Sequence, residues 1–154
     1  MRFFVLLIAL ITTLSAALAQ ERQWSLDASD REAYLVFGVP DTDDVGLSFW
    51  CEIGTGKISI FEPISHATLK RDKKIRIVLA MGENKFNIVA KASTTPDSRS
   101  ASLEALVAVD GTVMQAASKA QAISVSAFGH KSSYPMFDAD VAGLLRVCSS
   151  EVVN

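Results

Sequence analysis

The sequence contains few of the residues that catalysis and metal binding usually require. Its 154 residues include two histidines, His66 and His130, so neither H-x-x-x-H nor H-E-x-x-H can occur. The G-x-S-x-G motif of hydrolases is also missing, as is a glycine-rich phosphate loop between a strand and a helix. We therefore expect a protein that is not an enzyme and that has no cofactor or metal. An enzyme with an unrecognised site is kept as an alternative.

The chain also lacks an excess of charge of either sign. It has 15 Lys+Arg and 17 Asp+Glu, which gives a formal net charge of −2 at pH 7. Such a mildly acidic composition gives no electrostatic reason to expect nucleic acid as a partner. The short basic run over residues 70–74 is interpreted as a solvated loop, or as charged residues that keep an edge strand from pairing with another chain.

Long apolar runs are missing except for one at the start of the chain, over residues 3–14. This run is shorter than the roughly 20 residues that a transmembrane helix needs. It follows Arg2 and precedes Ala17-Leu18-Ala19, the small-x-small pattern of a signal peptidase site. We therefore expect a signal peptide over residues 1–19, one exported domain over residues 20–154, and no membrane span after cleavage. An uncleaved N-terminal anchor is the alternative.

Only two cysteines are present, Cys51 and Cys148, and they form no C-x-x-C motif. Neither has a neighbouring His or Lys that would lower the pKa of its thiol. An even number of cysteines in an oxidising compartment favours a disulfide over a pair of reactive thiols, which is the alternative. In a chain-entropy treatment, closing a loop of about 100 residues contributes about 4.7 kcal/mol to stability. We therefore predict that this bond joins an early core strand to the last helix.

Alternating apolar residues predict a mainly β fold of about eight strands. The predicted strands are residues 24–28, the continuous apolar run 33–40, and residues 45–53, 57–63, 74–82, 86–92, 122–128 and 133–137. Residues 102–109 fit either a strand or a helix, and we favour a strand. Two short helices are expected over residues 110–121 and 138–148, with Asp110 and Asp138 as their N-caps. Because the strands follow one another as hairpins, we expect an antiparallel β-sandwich or flattened barrel, with one helix at the C-terminus.

The aromatic residues divide into a core group and a group that can lie at the surface. The expected core group is Phe37, Phe49, Phe61, Phe86 and Phe128. The candidates for a binding surface are Trp50, Tyr34 and Tyr134. Trp50 is out of phase with the inward positions of its strand, and an exposed tryptophan is a candidate anchor for a protein or a glycan. The alternative is that a helix covers Trp50 on the other face of the sheet.

Three acidic clusters could supply oxygen ligands to a cation. They are Asp27 with Asp30, the turn over residues 41–44, and Asp138 with Asp140. Turn formation and helix capping explain these positions without a metal, and this is the interpretation we favour.

Several short segments carry a resemblance to a known group of proteins. An apolar strand ends in Cys51 after Asp43-Asp44, "DGTVMQAASKAQAISVSAFG" follows, and the domain closes with "FDADVAGLLRVC". This pattern resembles small Gram-negative periplasmic proteins and is distantly similar to the accessory periplasmic β-domain associated with type VI secretion. The resemblance implies a disulfide between Cys51 and Cys148, a periplasmic location and a non-enzymatic role. From the signal peptide, the paired cysteines and the missing catalytic motifs, we expect an envelope protein or a cell-wall component as partner.

A second resemblance is carried by "FWCEIGTGKISIF", residues 49–61. It is similar to the early aromatic-x-Cys-x-x-Gly strand of bacterial periplasmic lysozyme inhibitors, which also have a second cysteine near the end. The Ser-Gly-x-x-Tyr inhibitory loop of that family is missing here. A lysozyme-inhibiting module is therefore the alternative to a binding or structural module of the envelope.

Overall fold

The computed structural model of the protein describes residues 21–64, 73–94 and 101–150, and this part of the chain forms nine strands and two short helices. The elements are β1 (Gln23–Ala28), β2 (Glu32–Gly38), β3 (Val45–Glu52), β4 (Lys57–Ile64), β5 (Lys74–Met81), β6 (Asn84–Thr94), β7 (Ala101–Ala108), α1 (Thr112–Ala117), β8 (Ala122–Ala127), β9 (His130–Pro135) and α2 (Val141–Cys148). The expected mainly β fold with one helix near the C-terminus is confirmed. The expected signal peptide, His66 and residues 70–72 of the basic run lie outside the described residues.

All nine strands belong to one curled antiparallel sheet with the order β1-β2-β3-β4-β7-β6-β5-β8-β9. The curl brings the two ends of the sheet together. The contact between them is a hydrogen bond in which the indole N–H of Trp24 in β1 donates to the carbonyl oxygen of Pro135 in β9. The rings of Phe37 and Tyr134 also meet edge to face, with centroids 5.7 Å apart. The fold is therefore closer to the flattened barrel than to a sandwich of two separate sheets.

The core lies on the concave side of the sheet and follows the alternation expected from the sequence. In β3, Leu47, Phe49 and Cys51 are buried. Val45 was expected on the same face, but it is exposed. The reason is a register shift between β2 and β3 near this end, where an extra residue in one strand reverses the phase of the alternation.

Helix α2 lies against β1 and β2, and a disulfide fixes its end to β3. Cys51 and Cys148 are bonded, with their Cα atoms 5.9 Å apart, and both are buried. This confirms the predicted bond between an early core strand and the last helix. The alternative of two reactive thiols is thereby excluded for the folded protein.

The predicted N-caps of both helices are wrong. In α2 the cap is Asp140, whose carboxylate accepts the backbone N–H of Gly143 at 2.7 Å, and Asp138 precedes it without this role. In α1 the N-cap is Gly111, which makes no side-chain bond, whereas Asp110 accepts a bond from Gln115 through its carbonyl oxygen. Helix α1 is also shorter than the predicted 110–121.

Of the remaining expectations about the fold, two are confirmed and two are wrong. Phe61 was expected in the core, but it is only partly buried on the outer face of β4, because its neighbours Ile60 and Glu62 are the buried residues. The ambiguous segment 102–109 is a strand, β7, and β9 lies at the edge of the sheet, as Pro135 suggested. Phe128 was expected in the core, but it is exposed in the turn between β8 and β9, with a φ of 53°. The strand ends at Ala127, so the inward alternation does not reach Phe128.

Candidate functional site

A row of side chains runs across the outer, convex face of the sheet and joins five strands. Tyr34 of β2 pairs with Trp50 of β3, Trp50 with Ser59 of β4, and Ser59 with Leu106 of β7. The pairing of Ala90 with Ala105 then places Val89 of β6 beside Leu106. We call Tyr34, Trp50, Ser59, Leu106 and Val89 the outer row.

The outer row exposes an unusual amount of apolar surface for the face of a sheet. Tyr34 is 38% exposed, Leu106 58% and Val89 59%, and Trp50 is partly exposed. Single exposed hydrophobic residues are ordinary on protein surfaces, but contiguous exposed apolar patches mark interaction sites. Because neighbouring strands lie only about 4.8 Å apart, the register places Tyr34 next to Trp50 and Leu106 next to Val89. The buried Ser59 of β4 lies between these two apolar pairs.

A glutamate holds the two aromatic residues of the row in place. The indole N–H of Trp50 donates to a carboxylate oxygen of Glu32 at 3.2 Å. The rings of Tyr34 and Trp50 have centroids 6.4 Å apart and are tilted by 37°. A side-chain hydrogen bond to Glu32 is also the main cause that raises the pKa of Tyr34. The three side chains therefore form one connected group at the surface.

Trp50 separates two surface grooves. On one side, a groove of about 640 Å³ is lined by Ser29, Asp30, Arg31, Glu32, Trp50 and Glu52. On the other side, a groove of about 260 Å³ is lined by Trp50, Glu52, Thr55, Lys57, Ser59 and Leu106. Ser59 is buried at the floor of the second groove, where its hydroxyl donates to Glu104 at 2.9 Å. The indole therefore forms a wall that both grooves share.

The charges that flank the outer row are unevenly distributed. Asp27, Glu32 and Glu52 stand at outward positions of β1 to β3, around the aromatic end of the row. The outward charged residues of β5 and β6, around its aliphatic end, are Lys74, Arg76, Lys85 and Lys91. Charges of the opposite sign are present at both ends, since Arg31 lines the groove beside Trp50 and Glu104 of β7 pairs with Lys91. Carboxylates therefore predominate around the aromatic end and cations around the aliphatic end.

Tyr134 does not belong to this surface, and its assignment to a binding surface is wrong. It is only 6% exposed, because the curl of the sheet turns its side chain into the barrel. There its hydroxyl donates to a carboxylate oxygen of Glu62 at 3.0 Å. Of the three aromatic residues expected at the surface, the structure therefore brings Tyr34 and Trp50 together and places Tyr134 inside.

The contact of Tyr134 reveals a buried carboxyl group that the sequence interpretation missed. Glu62 is 4% exposed, and its second carboxylate oxygen, Oε2, has no hydrogen-bond partner among the described residues. Burial raises the pKa of Glu62, while the hydroxyls of Ser132 and Tyr134 oppose this shift. The signal was present in the sequence, since Glu62 follows Ile58 and Ile60 at the inward positions of β4.

The acidic clusters have structural roles or stand apart from one another. Asp44 forms an ion pair with Arg22, and Asp140 caps α2. Within residues 21–64, 73–94 and 101–150, no group of three or more His, Cys, Asp or Glu side chains is arranged to hold a metal ion. No helix in these ranges has the length and apolarity needed to cross a membrane.

Comparison with known proteins adds no functional evidence. No family model matches the chain, and neither a curated protein nor a solved structure matches it. The geometry of the outer row is therefore the main basis for an interpretation of function.

Proposed function

We propose that this protein is an exported, non-catalytic binding module of the periplasm, and that the outer row binds another protein of the cell envelope. The observation that carries the proposal is the alignment of two exposed apolar pairs on one face of the sheet, Tyr34 with Trp50 and Leu106 with Val89, on either side of the buried Ser59. The disulfide between Cys51 and Cys148 supports export, because such bonds persist in oxidising compartments.

The chemistry of the row favours a protein over a cell-wall glycan as the partner. Trp and Tyr are enriched at the energetic centres of protein interfaces, which are apolar at the centre and polar at the rim. Leu106 and Val89 extend the apolar surface beyond the aromatic pair, and charged residues border it at both ends. Aliphatic side chains pack well against other aliphatic side chains, whereas sugar rings stack best on aromatic ones.

The proposal is tested by photo-crosslinking in cells that export the protein. A photoreactive amino acid replaces Leu106 in one variant and Ser133 in a matched control, since Ser133 lies at an exposed position on β9. We expect a discrete protein adduct at position 106, no such adduct at position 133, and loss of the adduct when Trp50→Ala is added. Equal labelling at both positions, or no adduct at either, would contradict the proposal.

The lysozyme-inhibitor alternative is tested separately by titration of the purified protein into a lysozyme assay. Our proposal expects no inhibition at micromolar concentrations. Inhibition that disappears in Trp50→Ala would assign the outer row to lysozyme and would replace the proposal made here.

A further inference from the structure

The acidic end of the outer row contains two glutamates directly opposite one another. Glu32 of β2 pairs with Glu52 of β3 in the ladder, and both point to the outer face. Like charges at directly opposed positions of an antiparallel pair destabilise the sheet. In the described part of the chain, neither carboxylate forms an ion pair with a lysine or arginine, and the one such pair present is Arg22 with Asp44. Within the described residues, this repulsion is therefore opposed only by the hydrogen bonds that Glu32 accepts from Trp50 and Tyr34, and not by a cation.

The groove beside these glutamates combines negative charge with an aromatic wall. Its lining holds three carboxylates, those of Asp30, Glu32 and Glu52, against one guanidinium, that of Arg31. Trp50 forms the wall, and its bond to Glu32 fixes the orientation of the indole. A groove of about 640 Å³ is large enough for the end of a long side chain.

This combination suits a lysine or arginine side chain of another protein. A cation over the face of an indole is attracted by the ring, and a carboxylate adds charge-assisted hydrogen bonds. The methylene stem of such a side chain can cover apolar surface while its charged end remains in the groove. Anionic partners such as nucleic acid or phosphorylated lipid are disfavoured by the same carboxylates.

We propose that the partner of the outer row is a protein segment that inserts a lysine or arginine side chain between Glu32, Trp50 and Glu52. Apolar residues of the same segment pack on Leu106 and Val89. This inference rests on the proposed function, because it names the chemistry of the protein that binds the same surface. It also explains why two opposed glutamates stand beside the most exposed apolar row of the sheet.

The test uses the two tryptophans of the chain as separate reporters. In an NMR spectrum the indole N–H of Trp50 reports on the groove, whereas that of Trp24 is buried and serves as an internal control. The probe is an octapeptide of alternating Leu and Arg, and the matched control peptide has Glu in place of Arg. We expect the Arg peptide to shift the Trp50 signal and not the Trp24 signal, and we expect the Glu peptide to shift neither.

A charge-neutral variant separates this inference from the proposed function. In Glu32→Gln/Glu52→Gln the amide oxygen at position 32 can still accept the indole bond, so the groove keeps its shape. We expect this variant to bind the Arg peptide about tenfold more weakly, since the loss removes charge-assisted bonds. Unchanged binding, or equal binding of the Glu peptide, would overturn the inference. If the crosslinked adduct at position 106 then persisted in the variant, the proposed function would stand without the inserted lysine or arginine.

Discussion

The carboxyl group of Glu62 lies inside the sheet, where its charged form loses the hydration that it has in water. Burial is the main cause that raises its pKa above the ordinary value of 4.5. A raised pKa in the folded state means that the folded protein binds more protons than the unfolded chain between the two pKa values. The stability contributed by this group is therefore complete below the unfolded pKa, and it is lost as the pH rises through the folded pKa.

We predict that Glu62→Gln removes this pH dependence, because glutamine has no charged form to bury. Between pH 4 and pH 7, the unfolding free energy of the wild type should fall relative to that of the variant as the pH rises. Urea denaturation at several pH values measures the difference. A curve for Glu62→Gln that runs parallel to that of the wild type would contradict the prediction.

The two tyrosines that the sequence analysis grouped together should respond differently to loss of their hydroxyl groups. Tyr134→Phe removes one of the two hydroxyl groups that bond to the buried carboxyl of Glu62, and we expect a loss of about 1–3 kcal/mol of unfolding free energy. Tyr34→Phe changes an exposed ring on the outer face, so its effect should stay within about 0.5 kcal/mol. Denaturant titration of both variants measures the contrast, and equal losses would refute the buried assignment of Tyr134.

At the scale of elements, the start of α2 depends on a contact between two residues of its first turn. A Cβ atom at position 143 would lie 2.2 Å from a carboxylate oxygen of Asp140, so any other residue there would force the Asp140 side chain to shift. Asp140 caps the helix, although Asp138 has the same side chain, because its carboxylate reaches the N–H of Gly143, three residues further on. Capping residues are recognised by type in a sequence, but only the folded backbone decides which carboxylate reaches a free N–H group.

We predict that Asp140→Ala lowers the unfolding free energy by about 1 kcal/mol, as is typical for loss of an N-cap. Asp138→Ala should change it by less than about 0.5 kcal/mol, because this carboxylate is exposed and does not cap the helix. Thermal unfolding of the two variants under identical conditions provides the measurement. A larger loss in Asp138→Ala than in Asp140→Ala would restore the original assignment of the cap.

The strands could be predicted from the sequence more fully than the site. Period-two alternation identified β3 and placed Trp50 out of phase with the core, and Tyr34 was assigned to the same surface. Leu106 was missed, although it too is out of phase with Leu103 and Ala105, because its place on the same face as Trp50, two strands away, depends on β4 pairing with β7. That pairing joins strands distant in the sequence. The burial of Tyr134 depends on the curl of the whole sheet, which no local pattern reports.

For the molecule as a whole, the disulfide connects strand β3 of the sheet to helix α2, which lies against β1 and β2. We predict that Cys51→Ala/Cys148→Ala lowers the unfolding free energy by about 2–5 kcal/mol. Denaturant unfolding of the oxidised wild type and of this variant measures the loss, and the reduced wild type serves as a control for the cavity that alanine leaves. A loss in the variant with none in the reduced wild type would assign the effect to packing instead.

The bond between Cys51 and Cys148 spans 97 positions, and the chain has no other cysteine with which either could react. Oxidation within one molecule can therefore give only one disulfide. No mispaired intramolecular form exists for a thiol–disulfide isomerase to correct. Because Cys148 follows β9, the bond cannot form until all nine strands have been synthesised, and once formed it keeps the end of the last helix covalently attached to β3.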